Sequence, residues 1–305
     1  MSALASGKGV LILGVPRSGT TLLRRLVDAH PSFACPGETM LFSACARFLT
    51  AEPGVNGIDM GVLTGLHFAG FPADVVLERL RAFAFAFHEE HAARANKPRW
   101  AEKSAPDVFH LAAIEELCAD RVQYVCIARH ALDTLVSLSE LIDVQQRWSS
   151  ELHPYIARHP RPLEALAHAW VDGTEAMLDL ARRRPADACV IRYEDLVQRP
   201  GAEMTRVMAH LGEAWPDGLE ASALAEKGGL GLGDWKTYGK DKVETSSLGR
   251  HKSLSRLTVQ ELARIVNPTL VRAGYDALPE GPRPPRERAL RLFEATLKVQ
   301  GAKKG

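Results

Sequence analysis

Apolar residues follow two rhythms along this chain. Short, nearly unbroken runs at residues 10–13 (VLIL), 122–127 (VQYVCI) and 188–192 (ACVIR), with a less apolar one at 99–102 (RWAE), predict strands buried on both faces. Between them apolar residues recur at three- and four-residue spacing over 20–29, 73–95, 108–118, 132–147, 163–183 and 202–211, and a further helix is expected over 39–48. Strand and helix alternate. That order predicts an α/β fold of three layers, α/β/α, in which right-handed crossovers cover both faces of a central parallel sheet. Ligands of such sheets sit in the crevice at the carboxyl ends of the strands.

Two stretches break the rhythm. Residues 50–72 and 213–256 are rich in glycine and polar side chains and too long for plain connectors, and the second is expected to act as a cofactor lid. Later, "PEGPRPP" at 279–285 punctuates the chain before a basic amphipathic stretch at 286–299. The expected organisation is one domain over 1–278, followed by a Pro-rich linker and basic helix over 279–305. That helix has two uses open to it: packing back, or a homodimer contact.

Composition narrows the partners. With 38 basic against 37 acidic residues the net charge is only +1, so a nucleic-acid partner is not expected and charge recognition must be local. Cys35, Cys45, Cys118, Cys126 and Cys189 are scattered without metal-like spacing, which predicts buried thiols in a reducing compartment. No run approaches the ~20 apolar residues of a membrane span, and no cleavage-type flank follows the first residues. The expectation is a cytoplasmic protein. His88 and His91, three apart in "FHEEH", lack a matching ligand pattern; they are expected to be solvated and no metal is predicted.

The chemistry is most visible after the first strand. Gly14-Val-Pro-Arg-Ser-Gly19-Thr20-Thr21 has the P-loop spacing G-x-x-x-x-G, but Thr20 stands where a nucleotidase carries lysine. Glycines let backbone N–H groups converge on an anion, a helix starting near Thr20 adds its positive dipole end, and Ser18, Thr20 and Thr21 offer hydroxyls. The missing charge must come from Arg17. Strand 122–127 then runs into Ala128 and Arg129, a cation where an NTP hydrolase wants an acidic magnesium ligand. The fold class is thus P-loop-like, with a site that neutralises phosphate by arginine.

These stretches resemble a known family. "PRSGTTLLRRLVDAHP" is similar to the 5'-phosphosulfate loop of sulfotransferases that use 3'-phosphoadenosine-5'-phosphosulfate (PAPS), and "YVCIARHALDTLVSL" to their 3'-phosphate segment, which supplies Arg129 and Ser137. "VIRYEDLVQRP" and "SSLGRHKSL" resemble two further family stretches in the same order, so the likeness spans residues 9–275. Ala131 departs from the proline frequent there. Arg129 at a strand mouth can make two parallel hydrogen bonds to a phosphate, and Ser137 can add a third if the chain loops before the helix. The bland alternative for Arg129 is an ion pair with Asp133 at i+4.

The resemblance implies the remaining roles. Tyr193 would contact the adenosine, with core packing as its alternative, and Ser247, Arg250, His251 and Lys252 would belong to a late glycine-and-basic element folding over the 3'-phosphate. "AHPSFACPGETMLF" resembles the "GEET" stretch of tyrosylprotein sulfotransferases, which makes Glu38 the general base; capping of the helix over 39–48 is its structural alternative. "RWAEKSAPDVFHL" resembles an "EKTP"-like stretch whose lysine, here Lys103, reaches the bridging oxygen. Arg17 and Lys103 would then stabilise charge on the leaving 3',5'-adenosine bisphosphate (PAP). Many cytosolic members of the wider family use histidine as base, and His67 is the candidate for that role.

The implied function is PAPS-dependent transfer to a hydroxyl of a small-molecule, lipid or carrier-protein-bound acceptor, "LGDWKTYGKDKV" resembling sulfotransferases of carrier-bound substrates. A P-loop kinase or NTPase with a degenerate loop, or a silent nucleotide-binding protein, are the competing readings.

Overall fold

The computed structural model describes residues 8–54, 57–223 and 243–281. The chain begins with strand β1 (Gly9–Leu13), helix α1 (Thr20–Ala29), β2 (Phe33–Ala34) and α2 (Leu41–Phe48). A small hairpin, β3 (Glu52–Pro53) and β4 (Asp59–Met60), leads to α3 (Val62–Phe68) and the long α4 (Ala73–Arg94). Next come β5 (Arg99–Glu102), a 3-10 turn (Ala105–His110), α5 (Leu111–Cys118), β6 (Val122–Ala128) and α6 (Ala131–Gln145). The remainder is α7 (His153–Arg158), α8 (Pro162–Arg183), β7 (Ala188–Arg192), α9 (Tyr193–Gln198), α10 (Pro200–His210), α11 (Leu219–Ser222) and α12 (Arg256–Arg272). The basic stretch at 286–299, and residues 224–242 of the expected lid, lie outside the described residues.

Five strands pair in the order β2-β5-β1-β6-β7, all parallel. Strand β1 is buried throughout, and its period of two feeds two cores. Leu11 and Leu13 face one with Tyr124, Cys126, Ile114 and Met177, while Val10 and Ile12 face the other with Leu23, Leu26, Val125 and Met208. A third cluster joins α6, α8 and α12 through Leu135, Leu166, Trp170, Val266 and Leu270. Each such side chain contributes about 1.5–3 kcal/mol by leaving water.

Differences from expectation are local. The helix read over 108–118 starts instead as the 3-10 turn, because Pro106 sits in its first turn and the Asp107 N–H closes on the Ser104 carbonyl at 3.1 Å. The loop at 50–72 contains the hairpin and α3. His88 is not solvated: it is 1% exposed, stacked between Phe42 (ring centroids 5.4 Å) and Trp100 (4.9 Å), and burial pushes its pKa down to about 4. Cys35, Cys45, Cys118 and Cys126 are buried free thiols and Cys189 is half-buried, its thiol pushed up to about 11 by burial.

Beneath the carboxyl end of β5 lies a buried polar cluster. Glu102 places one oxygen 3.8 Å from His88 Nδ1, and Asp107 accepts from the Ser43 hydroxyl. Burial pushes Glu102 up to about 7 and Asp107 up to about 8, Asp107 being raised further by the Glu102 charge. The folded state therefore holds these protons more tightly than the unfolded chain. The stability they contribute is complete below the ordinary carboxylate range and is lost as pH rises through 7 and 8.

Two outcomes follow from this packing. The melting temperature is expected to fall between pH 5 and pH 8, and Asp107→Asn to flatten that fall, as followed by circular dichroism across the range. A Cβ on Gly9 would lie 2.0 Å from the Trp100 ring, so Gly9→Ala is expected to cost about 1–3 kcal/mol in urea unfolding through overpacking.

Candidate active site

Every strand of the main sheet delivers a polar group at its carboxyl end. The turn after β1 bends sharply: the Ser18 N–H closes on the Val15 carbonyl at 3.0 Å, and Arg17 (φ 76°) and Gly19 (φ 97°) both take the left-handed conformation. For arginine that conformation is strained, by roughly 1–3 kcal/mol. At Gly19 it leaves no room for a side chain, since a Cβ would lie 2.2 Å from the Tyr193 ring. The result is a cradle of backbone N–H groups at the start of α1.

Arg129, directly after β6, is 4% exposed and stitches the cradle to the late loop. One Nη donates to the Arg17 carbonyl at 2.9 Å and the other to the Ser247 carbonyl, while the guanidinium lies 4.6 Å above the Tyr193 ring. It forms no ion pair among the described residues, and its buried Nε has no hydrogen-bond partner among them. Burial pushes its pKa down. The expected alternative, pairing with Asp133, is not what is seen. Asp133 accepts from the Gly249 N–H (2.8 Å), the His251 N–H (2.8 Å) and His251 Nδ1 (2.6 Å), latching the late loop onto α6. Burial works to raise Asp133, but these hydrogen bonds outweigh it and hold its pKa below the ordinary value.

Ser137 arrives differently from expectation. No loop intervenes after Arg129: α6 runs unbroken from Ala131, and its second turn brings the Ser137 hydroxyl to Arg17 Nε at 3.2 Å. The two phosphate segments thus touch.

Lys103 and Glu38 meet on the other side. The Lys103 ammonium contacts the Glu38 carboxylate and also lies 3.2 Å from Thr21 Oγ1 on the cradle; its side chain is 3% exposed and that of Glu38 7%. Two buried charges so close compensate each other, and removing one strands the other. Glu38 does not cap α2, whose N-cap is Met40 with no side-chain cap. Instead its loop is pinned from below. Glu102 Oε1 accepts from Thr39 N–H (3.2 Å), the Thr39 hydroxyl (2.9 Å) and the Ser104 hydroxyl (2.5 Å), and Ser104 in turn accepts from Met40 N–H (2.9 Å). Strand alternation puts Glu102 inside and Lys103 toward the cavity.

One cavity of about 760 Å³ gathers these groups. Arg17, Gly19, Thr20, Thr21, Glu38, Lys103, Arg129, Ser137, Tyr193, Ser247 and Arg250 all line it, Arg250 while paired to Glu140 at 2.5 Å. Ser18, His251 and Lys252 do not: the Ser18 hydroxyl is buried without a partner among the described residues, His251 is turned to Asp133, and Lys252 is exposed. His67 is exposed on α3 and is not among the residues that line the cavity. Arg25 and a row of apolar side chains also line the cavity and were not anticipated. The repeat of Leu138, Leu141 and Ile142 after Ser137 is visible in the sequence but does not say whether it meets core or cavity, and nothing marked Arg25.

A doubly phosphorylated nucleotide fits this donor set. The cradle would hold one phosphate. The Nε of Arg129, without a hydrogen-bond partner among the described residues, suits another.

Comparison with known proteins agrees. The chain is 27% identical over 289 residues to nodulation protein NoeE of Sinorhizobium fredii, covering 87% of this chain and 65% of that protein, so it spans slightly less than two thirds of that relative. It is 25% identical over 278 residues to protein-tyrosine sulfotransferase 1 of Danio rerio, covering 88% and 72%. Its fold is that of the sulfotransferase domain from the Synechococcus PCC 7002 olefin synthase, with a TM-score of 0.59 and 20% identity over 90% of this chain and 99% of that one. Residues 9–217, more than half the chain, match the sequence profile described as "Sulfotransferase family", and with the strand-end cradle and its two arginines in place, this chain belongs to the sulfotransferase family.

Proposed function

We propose that the chain is an enzyme that moves a sulfuryl group from PAPS to a hydroxyl acceptor. The observation that carries this reading is the junction of cradle, Arg129–Ser137 segment and Glu38–Lys103 pair in one cavity. When bound, PAPS supplies an activated sulfuryl group attached to a leaving 5'-phosphate.

In this reading the Arg17 turn and the N-terminus of α1 bind the 5' end, with Thr20 and Thr21 hydroxyls completing the cradle. Arg129 and Ser137, with the Ser247–Arg250 loop latched by Asp133, hold the 3'-phosphate and set 3'-phosphorylated nucleotides apart from ATP. The Tyr193 ring braces Arg129 and Gly19 and offers its remaining edge to the nucleotide. Glu38 takes the acceptor proton at its carboxylate. Lys103, bridging Glu38 and Thr21, keeps that carboxylate facing the cradle and, with Arg17, places positive charge where the leaving phosphate gains negative charge. Chemistry of this kind asks the protein mainly for positioning and charge. The acceptor is a hydroxyl of a small, lipid or carrier-borne molecule.

A kinase or NTPase would prefer ATP with magnesium. A thermal-shift comparison separates the readings: PAP is expected to raise the melting temperature more than ATP–Mg²⁺, since a ligand bound only by the folded state stabilises it by mass action. The larger shift with ATP–Mg²⁺ would overturn the donor assignment. Arg129→Ala is expected to weaken PAP binding roughly 10- to 100-fold by calorimetry, the usual worth of lost hydrogen bonds to a charged group. Glu38→Gln is expected to keep PAP affinity while lowering turnover of labelled PAPS by about 10²- to 10⁴-fold, the span of general-base effects. Equal turnover by Glu38→Gln and the unaltered chain removes Glu38 from the base role.

A further inference from the structure

Past Ser137 the cavity changes character. Helix α6 turns Leu138, Leu141, Ile142 and Gln145 toward it, a spacing of i, i+3, i+4 and i+7 that forms a single stripe along the helix. Met40, Phe109 and Leu152 join that wall. Leu138 and Leu152 are 4% and 2% exposed, and Phe109, Leu141 and Ile142 are half-buried against the third core cluster, so the wall is backed by packed side chains. From Ser137 to Gln145 it extends about 12 Å at the helical rise per residue. The polar residues of this end, Gln145, Arg147 and Ser149, are all exposed and belong to its rim.

We infer that this stripe is the acceptor subsite, and that the acceptor is a hydroxyl carried on an elongated apolar body, alkyl or aryl, lying along α6 with its oxygen toward Glu38. The inference rests on the donor reading given above. A sugar laid on this wall would find polar partners only at the rim, from Gln145, Arg147 and Ser149, and would leave the hydroxyls that face Leu138, Leu141, Ile142 and Phe109 unpaired, at a cost that apolar contact does not offset. A tyrosyl side chain would use only the part nearest Glu38. An alkyl chain gains with every methylene it buries, by about fourfold each at the transfer free energy of a CH₂ group.

The test uses the full chain in two stages. PAP binding by calorimetry comes first, and its failure sinks the donor reading by itself. With PAP saturating, the affinities of 1-butanol, 1-hexanol, 1-octanol, 2-naphthol, methyl β-glucoside and an acidic tyrosyl pentapeptide are then compared, and the same six are offered with labelled PAPS. The expected result is a rise of roughly threefold to fourfold per methylene from butanol to octanol, binding of 2-naphthol, no saturable binding of the glucoside, and weaker binding of the peptide than of octanol. Leu141→Asp is expected to weaken octanol more than tenfold while the PAP-induced thermal shift persists. If that variant does not fold, as loss of the shift would reveal, Ile142→Ser carries the same comparison with a smaller loss. PAP binding combined with alcohol affinity indifferent to chain length overturns the inference and leaves the donor reading intact. So does preference for the glucoside or the peptide.

Discussion

In a sheet ordered β2-β5-β1-β6-β7 with every pairing parallel, all carboxyl ends open on one edge, and the strand in the middle is the first in the chain. After β5 the path crosses from one side of β1 to the other, so the loops that follow β1, β5 and β6 have nothing packed between them. Everything at the site depends on that arrangement. The cradle follows β1, Lys103 follows β5, Arg129 follows β6, Tyr193 follows β7, and Glu38 comes four residues after β2. Segments more than a hundred residues apart thereby come within hydrogen-bond reach, as Arg17 and Ser137 do.

Charge at this edge is arranged in two manners. Arg129 is buried among carbonyl oxygens and a tyrosine ring, and Asp133 and Glu194 act on its charge without a direct ion pair among the described residues, so its hydrogen-bonding edge is not taken up by a carboxylate. Lys103 and Glu38, by contrast, cancel each other in a direct buried pair, an arrangement in keeping with the proposed transfer of a hydroxyl proton to Glu38. The buried Glu102 beneath them, tied to Thr39 and Ser104, fixes the height of the Glu38 loop against β5. Its high pKa is the cost of using a carboxylate as a structural acceptor in a desolvated place.

Much of this was legible before any coordinates, and the gaps have physical causes. Long periodic segments read well: the helix expected over 20–29 has those limits, and the strand at 188–192 likewise. Strands of two residues, β2 and the β3–β4 hairpin, exist because a partner pairs with them, and pairing is invisible in local pattern. Helix α4 misled for another reason. Its three- and four-residue spacing marks the helix, but Phe83 and Phe87 are exposed while His88 faces the core, so the spacing does not identify its inner side. At the site, glycine spacing and strand-end cations were readable because each follows a strand. The apolar wall was not, because a leucine stripe on α6 looks the same whether it meets core or cavity.

Helix α6 carries both halves of the proposed recognition on one rigid rod. Its first two turns hold Asp133 and Ser137 on the donor side, and its last two present the stripe from Leu138 to Gln145. A single inserted or deleted residue between them would swing the stripe by about 100° around the helix axis and away from the cavity. In the proposed reading, side chains of the wall can thus be exchanged without disturbing the phosphate end, whereas the length of helix between the two is fixed.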